Sequence, residues 1–169
     1  MHGAVQDFLA ACRRLYPEQF GDGCRVVEFG SRDINGTPRP HFGDPAEWIG
    51  VDCIKGRNVD VLGLCHEFDP EAADFDVVVS TEALEHDPYW EKTLRQAAKL
   101  LRSGGVLALS CGSEHRPSHH ENDSPTPGYY GGRTGAEVEA VLRDATQWEQ
   151  LEVVYRREGQ DLMVRGVKA

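Results

Sequence analysis

The chain has 169 residues, of which 40% are hydrophobic and 27% are charged, and its formal net charge at pH 7 is −10. This length predicts a single domain over residues 1–169, since the chain can bury one sheet with its helices but not a separate substrate domain as well. The acidic balance disfavours a nucleic-acid partner, because a phosphate backbone would be repelled. Without a long apolar run or a leader-like N-terminus, we expect a cytoplasmic protein with no membrane partner.

The cysteines do not form a recognisable framework. They are odd in number, widely spaced and without a C-x-x-C pair, which argues against both disulfide bonds and a structural zinc site. We therefore expect buried, reduced thiols at Cys12, Cys24, Cys53, Cys65 and Cys111.

The secondary-structure pattern predicts an α/β protein. Residues 1–22 contain a predicted surface helix, in which Val5, Leu9 and Cys12 lie at helical spacing and Pro17 ends the pattern. Short apolar segments that alternate with helices indicate a sheet. The predicted strands are residues 24–29, 47–52, 59–62, 76–80, 106–110, 148–156 and 161–168.

Two further helices have clear start signals. Asp87 and Pro88 suit the beginning of a helix that Gly104-Gly105 would stop. Thr134 and Glu137 form a predicted capping box that opens another helix. Between these two predicted helices, residues 111–133 are rich in His, Pro and Gly without periodicity, so we expect a substrate loop or lid there.

The first two strands predict a nucleotide site. The strand 26–29 runs into Gly30, and the strand that follows in the chain ends at Asp52. At the carboxyl ends of parallel strands a glycine lets a ligand approach the backbone, and an acidic side chain can accept hydrogen bonds from both ribose hydroxyls.

Four segments in order resemble class I S-adenosylmethionine (SAM)-dependent methyltransferases, in particular the short "type 11" branch: residues 26–33, 48–52, 75–86 and 100–107. The resemblance covers residues 24–112. It implies a Rossmann-like fold with a mostly parallel seven-stranded sheet, a C-terminal antiparallel hairpin and SAM as the cofactor. The prolines among residues 31–46 predict reduced helices between the first three strands.

The resemblance also implies roles for individual residues. Asp52 would hold the ribose and Cys53 would lie against the adenine. The sequence departs from the family at Leu64, where a carboxylate often receives the adenine amino group, and at Arg32, where a second glycine is usual. The full predicted cofactor-binding set is Glu28, Gly30, Ser31, Arg32, Asp52, Cys53, Leu64, Cys65, Ser80, Thr81 and Glu82.

Histidines are the candidate catalytic residues. An oxygen or nitrogen acceptor that begins protonated needs a base near pH 7, which His86, His115 or His119 could provide. The run from His115 through His119, His120 and Glu121 to Asp123 contains metal-ligand residue types. Because Pro117 breaks any helix that would orient them, we predict no metal site. We expect a small-molecule or saccharide acceptor.

Two alternatives remain open from the sequence. An acidic residue some twenty positions after a glycine turn is also found in NAD-dependent oxidoreductases, although the G-x-G-x-x-G spacing is missing here. The chain could instead be a non-catalytic SAM-binding or interaction module, since a fold alone does not establish catalysis.

Overall fold

A computed structural model describes residues 3–118 and 129–169. Over these ranges the chain forms three α-helices and seven strands, with short 3-10 turns at Arg39–His41, Cys65–Glu67 and Leu84–His86. In chain order the elements are α1 (Gly3–Leu15), β1 (Arg25–Phe29), β2 (Glu47–Asp52), β3 (Val61–Leu62), β4 (Phe75–Thr81), α2 (Trp90–Leu100), β5 (Leu101–Gly112), α3 (Gly135–Ala145), β6 (Trp148–Arg156) and β7 (Asp161–Lys168).

The strands form one sheet in the order β3-β2-β1-β4-β5-β7-β6. The first five are parallel, and β7 runs antiparallel between β5 and β6. The predicted parallel sheet with a C-terminal antiparallel hairpin is confirmed. Because the chain continues outward in opposite directions from β1 and β4, the carboxyl ends of these two strands border a crevice.

Both faces of the sheet are covered. Alternate residues of a strand point to opposite faces. Val27 and Val78 accordingly pack in the core cluster under α2 and α3, and Val26 and Val77 pack in the cluster under α1. Burial on both sides explains why the middle of β4, residues 77–79, is continuously apolar in sequence.

The predicted reduction of helices between the first strands is confirmed. The segment between β1 and β2 contains one 3-10 turn, Arg39–His41, with Pro38 at its N-cap. Proline lacks the backbone donor that a longer helix requires, so this connection remains an extended loop.

The predicted boundary between α2 and β5 was wrong. The helix begins at Trp90, after Pro88, and ends at Leu100 rather than at Gly104. Leu101 is extended and pairs with Phe75 across the sheet. Gly104 instead adopts φ +72 within β5, a backbone conformation that favours glycine.

The start of the predicted loop over residues 111–133 was wrong, and residues 119–128 of that prediction lie outside the described ranges. Cys111 and Gly112 belong to β5 and pair with β7. Ser113 then forms an isolated bridge with Arg133.

Within the described residues, no helix is both long and apolar enough to cross a membrane.

The capping box at the start of α3 is confirmed and yields a stability prediction. The Thr134 hydroxyl accepts a hydrogen bond from the Glu137 backbone N–H, and the Glu137 carboxylate accepts one from the Thr134 N–H. We expect Thr134→Ala to lower the free energy of unfolding by about 1 kcal/mol in urea titrations, because an orphan donor is exposed. Thr134→Ser should retain the wild-type value, and an unaffected Ala variant would contradict the role of the cap.

Candidate functional site

A cavity of about 360 Å³ lies at the carboxyl ends of β1, β2 and β4. Its volume falls within the range of roughly 300–1,000 Å³ that small-molecule sites occupy. All of the predicted cofactor-binding residues except Ser31 line it, and so does His86. The fold therefore brings together residues that the sequence separates by more than fifty positions.

Gly30 forms the corner between β1 and the cavity. Its φ is +72, and its N–H donates to the Val51 carbonyl at 2.9 Å. A Cβ atom added at Gly30 would lie 2.2 Å from the Ala83 Cβ. Any side chain would force the ends of β1 and β4 apart, so both the backbone angle and the space require glycine.

Asp52, at the end of β2, carries a pre-oriented carboxylate. Its Oδ2 accepts from the Arg32 backbone N–H at 3.0 Å, and its Oδ1 accepts from the Ile54 N–H at 2.8 Å. The Cys53 thiol also donates weakly to Oδ1 at 3.7 Å. A carboxylate oxygen has two lone-pair sites, so Oδ2 can accept a hydrogen bond from a ligand hydroxyl directly, and Oδ1 can accept one in place of the weak thiol contact. Asp52 can thus bind a diol with its carboxylate already oriented.

The turn after Gly30 is fixed by backbone contacts. The Ser31 N–H donates to the Val51 carbonyl at 3.2 Å, and the Ser31 side chain is buried outside the cavity lining. Arg32 lines the cavity with its stem packed close to Gly56. Because Gly56 has no side chain, the long Arg32 side chain has room to pack against it.

Glu28 is a buried carboxyl at the base of the cavity. It is 3% exposed, and its Oε2 accepts from the Trp48 indole N–H at 3.0 Å. Burial raises the pKa of Glu28 to about 8, although the Trp48 hydrogen bond acts in the opposite direction. At neutral pH this carboxyl is mostly protonated and can donate a hydrogen bond.

Leu64, Cys53 and Cys65 form a low-polarity wall. Burial raises the pKa of Cys53 to about 11 and that of Cys65 to about 12. Both thiols stay protonated at neutral pH, and a thiol in that state is a poor nucleophile. This wall can contact a flat ring but offers no reactive sulfur.

The exit of β4 supplies Ser80, Thr81 and Glu82 to the lining. Glu82 adopts φ 57, which is uncommon for a residue with a side chain. Its N–H donates to the Ser110 carbonyl, and its Oε1 accepts from the Ser110 hydroxyl, both at 2.9 Å. Backbone strain of this kind concentrates at functional sites.

The three candidate bases have different positions. His86 lines the cavity from the 3-10 turn Leu84–His86, and its ring centroid lies 5.3 Å from that of Tyr130. The side chain of His115 is 63% exposed beside Glu114 and is not part of the cavity lining. His119, like His120, Glu121 and Asp123, lies outside the described residues. Only His86 is brought to the cavity among the candidates that the structure describes.

Several lining residues were not identified from sequence. Asp87 was predicted only as a helix cap. Its carboxylate accepts from the Tyr89 N–H at 2.7 Å, and both residues line the cavity. Their position in the chain, shortly after β4 ends, could have indicated that Asp87 and Tyr89 line the cavity. The remaining rim residues carried no sequence signal and are Ile34, Asn35, Gly36 and Ile54.

A buried ionic cluster lies behind Glu82 and was also missed. Arg116 contacts three carboxylates, those of Glu82, Glu85 and Asp161. Burial, followed by the charge of Glu82, raises the pKa of Glu85 to about 7. We call these four residues the Arg116 cluster.

Comparison with known proteins identifies the family. A family model described as a methyltransferase domain matches residues 4–154. No curated protein matches the sequence. Because the family model covers most of the chain, the chain belongs to this methyltransferase domain family.

Solved structures show the same fold. The 1,6-didemethyltoxoflavin-N1-methyltransferase of Burkholderia thailandensis, bound to 1,6-didemethyltoxoflavin and S-adenosylhomocysteine, has a TM-score of 0.69 at 18% identity, covering 99% of this chain and 79% of its own. A SAM-dependent methyltransferase from Thermotoga maritima has a TM-score of 0.66 at 19% identity, covering 98% and 89%. DhpI in complex with S-adenosylhomocysteine has a TM-score of 0.67 at 17% identity, covering 97% and 85%.

The family, the sheet order and the cavity together define the class of protein. The chain is a SAM-dependent methyltransferase with a Rossmann-like fold, and SAM is its cofactor. This membership favours methyl transfer over the oxidoreductase alternative.

The raised pKa of Glu28 predicts a pH-dependent stability. Below its ordinary pKa of 4.5, the Glu28 carboxyl is protonated in both the folded and the unfolded chain, so its contribution to the free energy of unfolding is fully present. As the pH rises from there to about 8, the unfolded chain loses its proton first, and the free energy of unfolding falls. We expect Glu28→Gln to remove this decline, making the variant more stable than wild type at pH 8 by on the order of 2–4 kcal/mol in urea titrations.

The matched control is Glu71→Gln, which changes an exposed carboxylate. It should keep the wild-type pH dependence between pH 5 and pH 8. A wild-type pH dependence in Glu28→Gln as well would show that the buried carboxyl is not the source of the decline.

Proposed function

We propose that the cavity is the SAM site and that the enzyme methylates an oxygen or nitrogen atom of a small molecule. The observation that carries the proposal is the Asp52 carboxylate, which is fixed by two backbone N–H groups, has a free acceptor site on Oδ2 and has only the weak Cys53 thiol as a competing donor on Oδ1. An adenosine ribose presents two adjacent hydroxyls that match this arrangement. Glu28, Gly30, Arg32 and the β4 exit complete the proposed cofactor site around it.

The lining residues offer groups that suit both the adenine and the methionine parts of the cofactor. The wall of Leu64, Cys53 and Cys65 would contact the adenine ring without a carboxylate for its amino group. Arg32 would be the cation nearest to the methionine carboxylate. When bound, SAM supplies a methyl group on a sulfonium, and alignment of the acceptor by the cavity walls then provides much of the rate acceleration.

His86 is the proposed general base. It lines the cavity directly after the β4 exit, where an acceptor beside Glu82 would lie within its reach. An imidazole can accept a proton from a hydroxyl or an ammonium group near pH 7. His115 and His119 are secondary candidates that would need to act from the loop after β5.

A small, partly apolar acceptor fits the cavity rim. Ile34 is 52% exposed and Tyr89 is 43% exposed, yet both line the cavity. Exposed apolar side chains at a cavity mouth favour a flat or weakly polar ligand. The Burkholderia enzyme with the same fold was solved with 1,6-didemethyltoxoflavin bound, a small-molecule precedent. A sugar hydroxyl is the other proposed acceptor, and this rim favours it less.

The cofactor assignment is tested with Asp52→Ala. The variant loses two ligand hydrogen bonds to a charged group, so we expect calorimetry to show SAM binding weakened about 100-fold. Asp69→Ala, which removes a surface carboxylate paired with Lys99, should bind SAM like wild type. Equal SAM affinity in Asp52→Ala and the wild type would contradict the assignment of this cavity as the SAM site. Stabilisation of the wild-type chain by NAD alone would favour the oxidoreductase alternative.

The base is tested with His86→Gln once an acceptor has been found by screening small phenols, amines and sugars with radiolabelled SAM. We expect kcat to fall about 100-fold or more while the SAM dissociation constant stays unchanged, because the side chain acts on the acceptor proton. An unchanged kcat would remove His86 from the mechanism. Absence of methyl transfer to every acceptor, with SAM binding intact, would support the non-catalytic alternative.

A further inference from the structure

Arg116 connects three separate elements through one guanidinium. Its Nη1 donates to Glu82 Oε2 at 2.7 Å and to Glu85 Oε1 at 2.9 Å. Its Nη2 donates to Asp161 Oδ1. Glu82 ends the β4 exit, Glu85 lies in the 3-10 turn that carries His86, and Asp161 begins β7.

The cluster is buried except at Glu82, whose side chain is 21% exposed, so water screens its other contacts little. The Arg116 side chain is 9% exposed, and those of Glu85 and Asp161 are exposed by 1% or less. Arg116 faces all three carboxylates, the more exposed Arg157 reaches only Asp161 at 3.4 Å, and Glu85 Oε2 has no hydrogen-bond partner among the described residues. Buried ion pairs contribute little net stability, because desolvation offsets their attraction. The arrangement is therefore poorly explained as a device for stability alone.

The cluster does fix the geometry of the cavity wall. Glu82 is held at φ 57 with one carboxylate oxygen on Ser110 and the other on Arg116. The adjacent turn is held through Glu85, whose backbone carbonyl also accepts from the Gly131 N–H at 2.8 Å. Both Glu82 and His86 line the cavity, whereas Arg116, Glu85 and Asp161 do not.

We propose that Arg116 is a positioning residue of the methyltransferase site, which holds the Glu82 corner and the His86 turn in the arrangement that binds SAM. The inference rests on the proposed function only in taking the cavity as the SAM site. Arginine suits this role because its planar group donates to several carboxylates in fixed directions, whereas lysine offers a single nitrogen on a flexible stem.

The test compares Arg116→Lys, Arg116→Gln and the double variant Arg116→Gln/Glu85→Gln by thermal unfolding and by calorimetric titration with SAM. Arg116→Gln should be strongly destabilised, since the buried Glu85 and the partly exposed Glu82 lose their cation and Asp161 keeps only its longer contact with Arg157. Arg116→Lys keeps the charge and should fold, but we expect its SAM affinity to be about tenfold weaker. The double variant restores the net charge of the cluster, so Tm should recover while SAM affinity remains low.

Lys168→Met is the matched control, because it removes a partly buried cation that donates to the Ala98 and Leu101 carbonyls and does not line the cavity. It should lower Tm and leave SAM affinity unchanged. Wild-type affinity in Arg116→Lys, or recovery of affinity together with Tm in the double variant, would overturn the positioning role. Failure of the wild-type chain to bind SAM would instead refute the proposed function.

Discussion

The close contact between Gly30 and Ala83 is the constraint on which the rest of the site depends. It joins the ends of β1 and β4 where the strand order diverges, and a Cβ at Gly30 would lie 2.2 Å from the Ala83 Cβ. Because the chain turns sharply there, the Arg32 N–H reaches the Asp52 carboxylate. Glu82 and His86, on either side of Ala83 in the chain, line the same cavity. The backbone geometry therefore places the ligand site at these strand ends, whichever side chains provide the chemistry.

Two acids that line the cavity, the buried Glu28 and the partly exposed Glu82, are neutralised in different ways. Glu28 has an indole N–H as its hydrogen-bond partner, and burial shifts its pKa to about 8, so it is largely neutral at pH 7. Glu82 is paired with a buried arginine. A proton and a cation both remove the cost of burying a negative charge, but the charge-assisted hydrogen bond from Arg116 is a stronger orienting contact than the neutral one from Trp48. The strained backbone at Glu82 has this stronger partner.

The sequence predicted the features that depend on local pattern. The run Val77-Val78-Val79 indicated a strand buried on both faces, Thr134 and Glu137 indicated a helix start, and the strand end at Asp52 indicated the ligand site. Features that depend on tertiary contacts were not predictable. Gly104 resembled a helix stop, yet the pairing of Leu101 with Phe75 ended α2 earlier. Arg116 meets Glu82 across 34 positions, a contact that exists only once β4 and β5 are side by side.

The shortened connection after β1 also bears on ligand choice. A dinucleotide pyrophosphate is bound at a helix N-terminus that directly follows the glycine turn, where backbone N–H groups and the helix dipole face the phosphates. Here the prolines leave only the 3-10 turn Arg39–His41, and the N–H of Arg32 is committed to Asp52. The site thus lacks the usual phosphate cradle but retains the ribose carboxylate. Adenosine attached to a linkage without phosphate fits such a site better than adenosine diphosphate, and SAM, whose sulfonium joins adenosine to methionine, has that composition.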